Sequence, residues 1–446
     1  MPQEYIALLM FGTMVLLLLS GQRVFAVIGF VATIFVLALW GKGGEATIFA
    51  QTMKLMNWFP MVTLPMFVWM GYVMSETRMA EDLYRMFHVT LGWIPGGLAI
   101  GTILVMVLIS AMNGLSVAGL AIGTTIALPE LLRRGYDKIM VTGIIQGGSS
   151  LGILVPPSVV LVLYAMIARQ PPDRLWIAGI VPGLLMAVVF IIYIAVRCWK
   201  NPALGPKLSP EERRLQPGEL GKLIVAGLFP FMIFASIMLP FLFGWTSLVE
   251  ASVIGSALAT LAAVVRGRMT RAIFDSCLTQ TLAISCMFLW IILAALAFGV
   301  GFDGLGAVKA LEQFFLGDLG MSPWTILILM QLSFLIMGMF LDDTAMLVIV
   351  APLYVPLVAK LDLGMTPQDA LIWYGILYTI TCQIAYLTPP FGYNLFLMRA
   401  MAPDHVSLAD IYRSIVPIVA LMLLTLVIVM VFPEIALWLP HQVYGQ

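Results

Sequence analysis

"GILVPPS", residues 152–158, lies inside an apolar run long enough to span a bilayer, where two consecutive prolines cannot sit in an unbroken helix. A counterpart, "AYLTPPFG", residues 385–392, is equally deep in apolar sequence, and its first proline stands 233 residues after the first proline of the earlier pair (389 against 156). Proline has no amide N–H and turns its predecessor away from helical geometry. Pro156 and Pro157 are therefore expected to leave the carbonyls of Gly152 and Ile153 without partners, and Pro389 and Pro390 those of Ala385 and Tyr386. Irregular backbone at membrane depth is tolerated where it lines a cavity or holds an ion. A dehydrated cation would satisfy such carbonyls. The helices that resume at Ser158 and Phe391 would turn free N–H groups and positive dipole ends toward the same region, which suits an anion. A plain proline kink is the simpler reading of one such pair; two pairs in matching places favour the functional one.

Composition sets the class. Of 446 residues, 61% are hydrophobic and 10% charged, against roughly 25% charged in a soluble domain. The chain reads as an all-α polytopic membrane protein embedded in a lipid bilayer. Its 23 basic and 23 acidic residues cancel, which gives no ground for a nucleic-acid partner. Cys198, Cys277, Cys286 and Cys382 are far apart in apolar surroundings and read as core residues rather than ligands or disulfides. The N-terminus "MPQEYIALLM" has no basic region, so the apolar run that follows reads as a retained span.

With about 20 residues per crossing, apolar segments fall near 5–20, 24–40, 58–77, 95–134, 139–170, 174–199, 223–243, 245–265, 276–299, 321–360, 371–401 and 407–432. Segments 95–134 and 321–360 are interrupted by "SAMNG" and "FLDDT", as expected of a re-entrant hairpin or of two spans, and 139–170 and 371–401 carry the proline pairs. One of each kind occurs in each half. "MFVW" at 66–69 answers "MFLW" at 287–290, and "IVP" at 180–182 answers "IVP" at 415–417, in the same order as the proline pairs. The chain divides into N-terminal scaffold spans (1–57), a first repeat (58–199), a linker with two further scaffold spans (200–275), a second repeat (276–432) and a tail (433–446).

Charge orients the halves, because short cytoplasmic loops concentrate Lys and Arg. The linker carries Lys200, Lys207, Arg213, Arg214 and Lys222, and "RGRMTR" carries Arg266, Arg268 and Arg271; two spans separate them, so both belong on the cytoplasmic side. "LLRRGYDK" offers Arg133, Arg134 and Lys138, whereas its counterpart "KLDLGMTPQD" sets one Lys360 against Asp362 and Asp369. The first loop is expected inside and the second outside, which inverts the second repeat and leaves ten full crossings with both termini external. Inverted repeats with broken helices meeting at the midplane are a secondary-transporter architecture.

"GGSSLGILVPPS", "TPPFGYNLF" and the upstream "GMFLDD" together resemble the large membrane subunit of tripartite ATP-independent periplasmic (TRAP) transporters over residues 5–432. The resemblance implies an elevator-type, sodium-coupled importer in the bacterial inner membrane. It also implies two partners, a small four-helix membrane subunit and a periplasmic substrate-binding protein, and a cargo that is a small organic anion such as a dicarboxylate, keto acid or sialic acid. One sodium site would use Ser110 and Asn113 with Gly152, Val155 and Pro157; the second would use Gly338 and Asp342 with Ala385 and Thr388. The family more often has Gly where Ala385 stands and Pro where Asp343 stands. Ser149, Ser158, Asp343 and Asn394 are the candidates for substrate contact, and no organic cofactor is implied.

Each candidate also has a plainer reading. Ser110 and Asn113 could bridge neighbouring helices, and Asn394 could pack on the first repeat instead of facing substrate. Carboxylates such as Asp342 and Asp343 are costly at membrane depth and usually functional there. The charged stretches 78–88 and 303–318 read as interfacial arms. An intramembrane aspartyl protease would need two carboxylates facing one another, but neighbours on one helix point about a quarter-turn apart. A channel would call for a ring of like residues around a pore. A self-sufficient sodium symporter of the same architecture is separated from the TRAP reading only by the family motifs.

Overall fold

The computed structural model describes residues 2–114, 116–208, 219–314, 320–339, 343–389 and 392–445, and the described residues are helical, turn or coil with no strand. Among the described residues, four helices are long and apolar enough to cross a membrane by themselves, Pro172–Lys200, Leu248–Val265, Arg271–Gly304 and Leu408–Val431. Shorter apolar helices supplement them. The protein is thus a multi-pass membrane protein.

The chain begins with α1 (Gln3–Leu19), α2 (Val24–Leu39), α3 (Gly44–Met56) and α4 (Thr63–Glu76), followed by the short amphipathic α5 (Met79–Leu91). Next come α6 (Gly97–Asn113), which turns at Gly114, then α7 (Ser116–Ile122), a π-helical turn at Gly123–Ala127 and α8 (Leu128–Arg133). The first broken helix is α9 (Lys138–Ser150), a 3₁₀ turn at Leu151–Ile153 and α10 (Val159–Ile167), after which α11 (Pro172–Lys200) returns. Beyond the linker lie α12 (Glu219–Leu242) and α13 (Leu248–Val265).

The second half repeats the order: the long α14 (Arg271–Gly304), a short α15 (Ala307–Glu312), then α16 (Pro323–Gly338) and α17 (Asp343–Val358). The broken helix α18 (Pro367–Tyr386) and α19 (Tyr393–Met401) is followed by the returning α20 (Leu408–Val431), and α21 (Glu434–Tyr444) makes the 433–446 tail helical. Helix starts follow local chemistry. Asp137, Ser158, Thr270, Ser322, Thr366 and Ser407 each accept a backbone N–H three residues on, which supplies one of the donors a helix start leaves open.

Two packing groups result. Helices α1, α2, α4, α12, α13 and α14 pack on one another as a scaffold; the helices from α6 to α11 and from α16 to α21 form the second group, with α5 lying between α12 and α6. Within the second group the contacts between halves are reciprocal. Helix α9 packs on α20 while α18 packs on α11, and α10 packs on α17 while α19 packs on α7.

These contacts are close because glycines form the surfaces. A Cβ at Gly143 of α9 would stand 2.3 Å from the Ser414 carbonyl oxygen of α20, and one at Gly147 would stand 2.7 Å from Ile418. On α11, Gly179 and Gly183 receive the first break, since a Cβ there would stand 2.4 Å from the Leu154 carbonyl oxygen and 2.5 Å from a Val155 methyl. Small residues four apart let helix backbones approach where lipid supplies no hydrophobic drive between helices.

Candidate functional site

The first break is a short, internally bonded turn. The N–H groups of Leu154 and Val155 both donate to the Leu151 carbonyl, at 3.1 and 2.9 Å. Pro156 and Pro157 are joined by a cis peptide bond. Ser158 then donates its hydroxyl to the Ile153 carbonyl at 2.5 Å and accepts from the Leu161 N–H at 3.1 Å. The expectation that Ile153 loses its partner is therefore corrected: the hydroxyl that caps α10 reaches back and takes that carbonyl. Ser158 has one proton and it is spent inside the break. Among the described residues, the Gly152 carbonyl receives none of these bonds.

The second break differs. Thr388 N–H donates to the Ala385 carbonyl at 3.1 Å, and the Thr388 hydroxyl donates to Ile384 at 2.7 Å. The expectation of a free Ala385 carbonyl is likewise corrected, because the chain tightens to an i→i−3 turn before the prolines. Phe391 lies outside the described residues; α19 starts two residues later, at Tyr393, with Gly392 as its N-cap, at φ 45° and with no side-chain cap bond. The two resuming helices thus present different ends. That of α10 is capped by Ser158, whereas α19 has no side-chain acceptor at its N-cap.

The turn after α6 meets the first break, and the end of α16 meets the second. Gly114, at φ 63°, lies against the start of α10: a Cβ there would stand 3.0 Å from the Pro157 carbonyl oxygen and 3.0 Å from a Val159 methyl. Only glycine fits both that backbone conformation and that space. Helix α6 also packs on the turn Leu151–Ile153, which contains Gly152. In the second half, a Cβ at Gly338 would stand 2.3 Å from the Ala385 Cβ. The structure thereby brings Gly338 to Ala385, and the α6 hairpin to Gly152 and Pro157.

Ser110 and Asn113 belong to the last turn of α6 and Asp343 opens α17, but their side chains lie outside the described residues, as does Asp342 altogether. Val155 is buried against Gly183. Ser149 is buried and donates its hydroxyl to the Gln146 carbonyl at 2.8 Å, which leaves only its lone pairs for another group. Asn394 is fully buried on α19 and bonds Ser116 of α7 at 3.0 Å through its amide nitrogen, while its Oδ1 has no partner among the described residues.

Two features of the site were not anticipated. Gln383 donates to the Ser150 carbonyl at 3.0 Å, and each of these residues stands six positions before the first proline of its own pair. Equivalent points of the two breaks therefore meet. Gln146 likewise donates to Ser414 of the opposite half at 3.3 Å, and the Oε1 atoms of both glutamines are buried without partners among the described residues. The available signal was an amide side chain within otherwise apolar helices, together with Gly143, Gly147, Gly179 and Gly183 at four-residue spacing.

The chain is similar to known proteins. Residues 7–435 match the family described as the tripartite ATP-independent periplasmic transporter, DctM component. The C4-dicarboxylate TRAP transporter large permease protein DctM of Pseudomonas aeruginosa is 30% identical over 393 residues, covering 86% of either chain. The isethionate TRAP transporter permease protein DctMQ of Oleidesulfovibrio alaskensis is 26% identical over 387 residues, 85% of this chain and 58% of that one. Among solved structures, the Alcanivorax borkumensis YdaH transporter shares the fold, with a TM-score of 0.64 at 15% identity and 90% of each chain covered. The relatives are permeases, not enzymes, so the adjacent aspartates are not a protease dyad. By the match across its length, the chain belongs to the tripartite ATP-independent periplasmic transporter family, as a DctM-type large permease.

Proposed function

We propose that this chain is the transport-competent subunit of a sodium-coupled, binding-protein-dependent importer of a small organic anion in a bacterial inner membrane. Its repeats are inverted, its two hairpins are re-entrant, and the second packing group moves against the scaffold as an elevator. The observation that carries this reading is the meeting of the turn after α6 with the first broken helix and of the end of α16 with the second, joined across the halves by the Gln383–Ser150 bond. Such a junction brings the broken backbone of the two halves together.

The first sodium ion is held by Ser110, Asn113, Gly152, Val155 and Pro157, and the second by Gly338, Asp342, Ala385 and Thr388. Substrate lies toward Ser149, Ser158, Asp343 and Asn394, with its anionic group nearest the start of α19, where the N-cap offers no side-chain acceptor to the first N–H groups. Two relatives are named for small organic anions, a C4-dicarboxylate and isethionate. The small membrane subunit and the periplasmic binding protein are its partners; the relative named DctMQ extends well beyond the region matched here, as a large permease joined to further membrane sequence would.

Sodium dependence tests the reading. No carboxylate lies in "SAMNG" or "GILVPPS", so a proton relay has no titratable group in the first site. Ser110→Ala and Asn113→Ala each remove at most one ligand, and should raise the sodium concentration for half-maximal uptake roughly tenfold if about 1.4 kcal/mol of binding is lost. The measurement is uptake against sodium at fixed pH, with a proton gradient imposed separately. Uptake driven by protons alone, or unchanged sodium dependence in both variants, would sink the assignment.

Topology gives a second check. Gly135 and Gly364, at the tips of the two matching loops, have φ of 76° and 75°, where a cysteine is strained. Cysteines are better placed at the exposed neighbours Arg133 and Asp362. An impermeant thiol reagent applied outside should label position 362 and spare 133. Equal labelling from one side would end the inverted-repeat reading.

A further inference from the structure

The amphipathic helix α5 is held differently at its two ends. Its first turn lies at the corner with α4, where Arg78 takes a left-handed φ of 55°, rare for a residue with a side chain. Asp82 projects from this turn onto the loop between α13 and α14. There Arg266 donates to Oδ2 at 2.5 Å and Arg268 to the same oxygen at 3.0 Å. Arg268 also donates to the carbonyls of Thr77 and Arg78, at 3.0 and 3.2 Å, so the strained corner is fixed by the same side chain. The Arg266 guanidinium lies over the Phe229 ring of α12, 5.8 Å from its centroid.

This pairing is unlike an ordinary surface ion pair. The Asp82 and Arg266 side chains are 21% and 16% exposed, and one carboxylate is shared by two guanidinium groups. Partial burial and shared charge make removal of one partner costlier than breaking an exposed pair.

The far end of α5 belongs to another body. The Leu208 N–H donates to the Gly92 carbonyl at 2.9 Å, Gly96 N–H to Gly205 at 2.9 Å, and Asp137 N–H to Leu204 at 3.0 Å. The strap 201–208 after α11 therefore joins the end of α5 to the starts of α6 and α9. Along its length α5 rests between two glycine surfaces. A Cβ at Gly227 of α12 would stand 2.6 Å from Met86, and one at Gly101 of α6 would stand 3.3 Å from Phe87. In the second half the acid on the short helix, Glu312 of α15, pairs with Lys360 beyond α17 and not with a scaffold loop. Of these two ties, only that of Asp82 runs to the scaffold.

We propose that Asp82, with Arg266 and Arg268, is a positioning residue for transport: it pins the α4–α5 corner to the scaffold so that the other end of α5 carries the α6 hairpin between its two positions. This rests on the elevator reading above. The residue touches neither ion nor substrate, so its loss should slow the movement and leave binding alone.

The test uses the complete transporter in vesicles, with its small subunit and binding protein, and the variants Asp82→Asn, Arg268→Gln and Asp82→Glu. Asp82→Asn and Arg268→Gln should each lower the maximal uptake rate roughly tenfold, as expected where a conformational step limits turnover, with half-saturating sodium and substrate within about twofold of the parent. Asp82→Glu, which keeps the charge, should recover most of the rate, an outcome that a mere folding defect would not give. Spin labels at Arg133 and Arg271, one on each packing group, report the movement itself. Distances that shift with sodium and substrate in the parent, and whose exchange slows in Asp82→Asn, support the proposal. A shifting distance with an unchanged rate in Asp82→Asn, or a loss expressed in sodium affinity instead, overturns the clamp while leaving the elevator intact. A parent distance that never shifts overturns the elevator premise, and the clamp with it.

Discussion

Gly338→Leu should abolish uptake at every sodium concentration. Even the first atom of a side chain at 338 would stand 2.3 Å from the Ala385 Cβ and 3.5 Å from the Met346 sulfur, so the end of α16 cannot approach the second break. Overpacking of this kind costs about 1–3 kcal/mol where neighbours can yield, and here the neighbour is a Cβ held by a helix end. A loss of about 2.7 kcal/mol of closure energy corresponds to roughly a hundredfold. Extra sodium should not rescue the variant, because the obstacle is volume rather than a missing ligand. The exchange Gly338→Ala with Ala385→Gly moves the methyl to the other partner and should restore a measurable fraction of transport, whereas Gly338→Ala alone should not. If Gly338→Leu transports normally, the hairpin does not close on the break. Gly152→Leu should act alike in the first half, where α6 packs on the turn that contains it.

The second large effect is one of partners. In vesicles containing this chain and its small subunit, the organic anion should enter only when the cognate binding protein is supplied outside, so the expected contrast is between uptake and background. A sodium gradient should be needed as well. Robust uptake by this chain alone would favour the self-sufficient symporter, which shares every feature of the breaks and hairpins and differs only in how substrate arrives.

Some of the site was open to reading from residue types alone. Two adjacent prolines remove two consecutive N–H donors wherever they stand, so interrupted helices at 156 and 389 followed from local chemistry, and the charged stretch 78–88, whose charges have nowhere to go in hydrocarbon, falls on the short helix Met79–Leu91. What the broken backbone does with its carbonyls was not open in the same way. Ser158 turns back on Ile153, and Thr388 closes a tighter turn on Ala385. Both choices depend on torsion angles that the local sequence permits without selecting.

Composition by itself determined a multi-pass membrane chain, because burying polar backbone in lipid leaves few solutions. Tertiary structure alone decided which points of those halves touch. The bond from Gln383 to Ser150, the seat of Ser414 on Gly143, and the hold of Arg266 and Arg268 on Asp82 join residues that are 233, 271, 184 and 186 positions apart. Contacts of that span are set by helix packing, where a glycine surface admits one backbone and excludes another. Each residue's own propensity is silent about which backbone that will be.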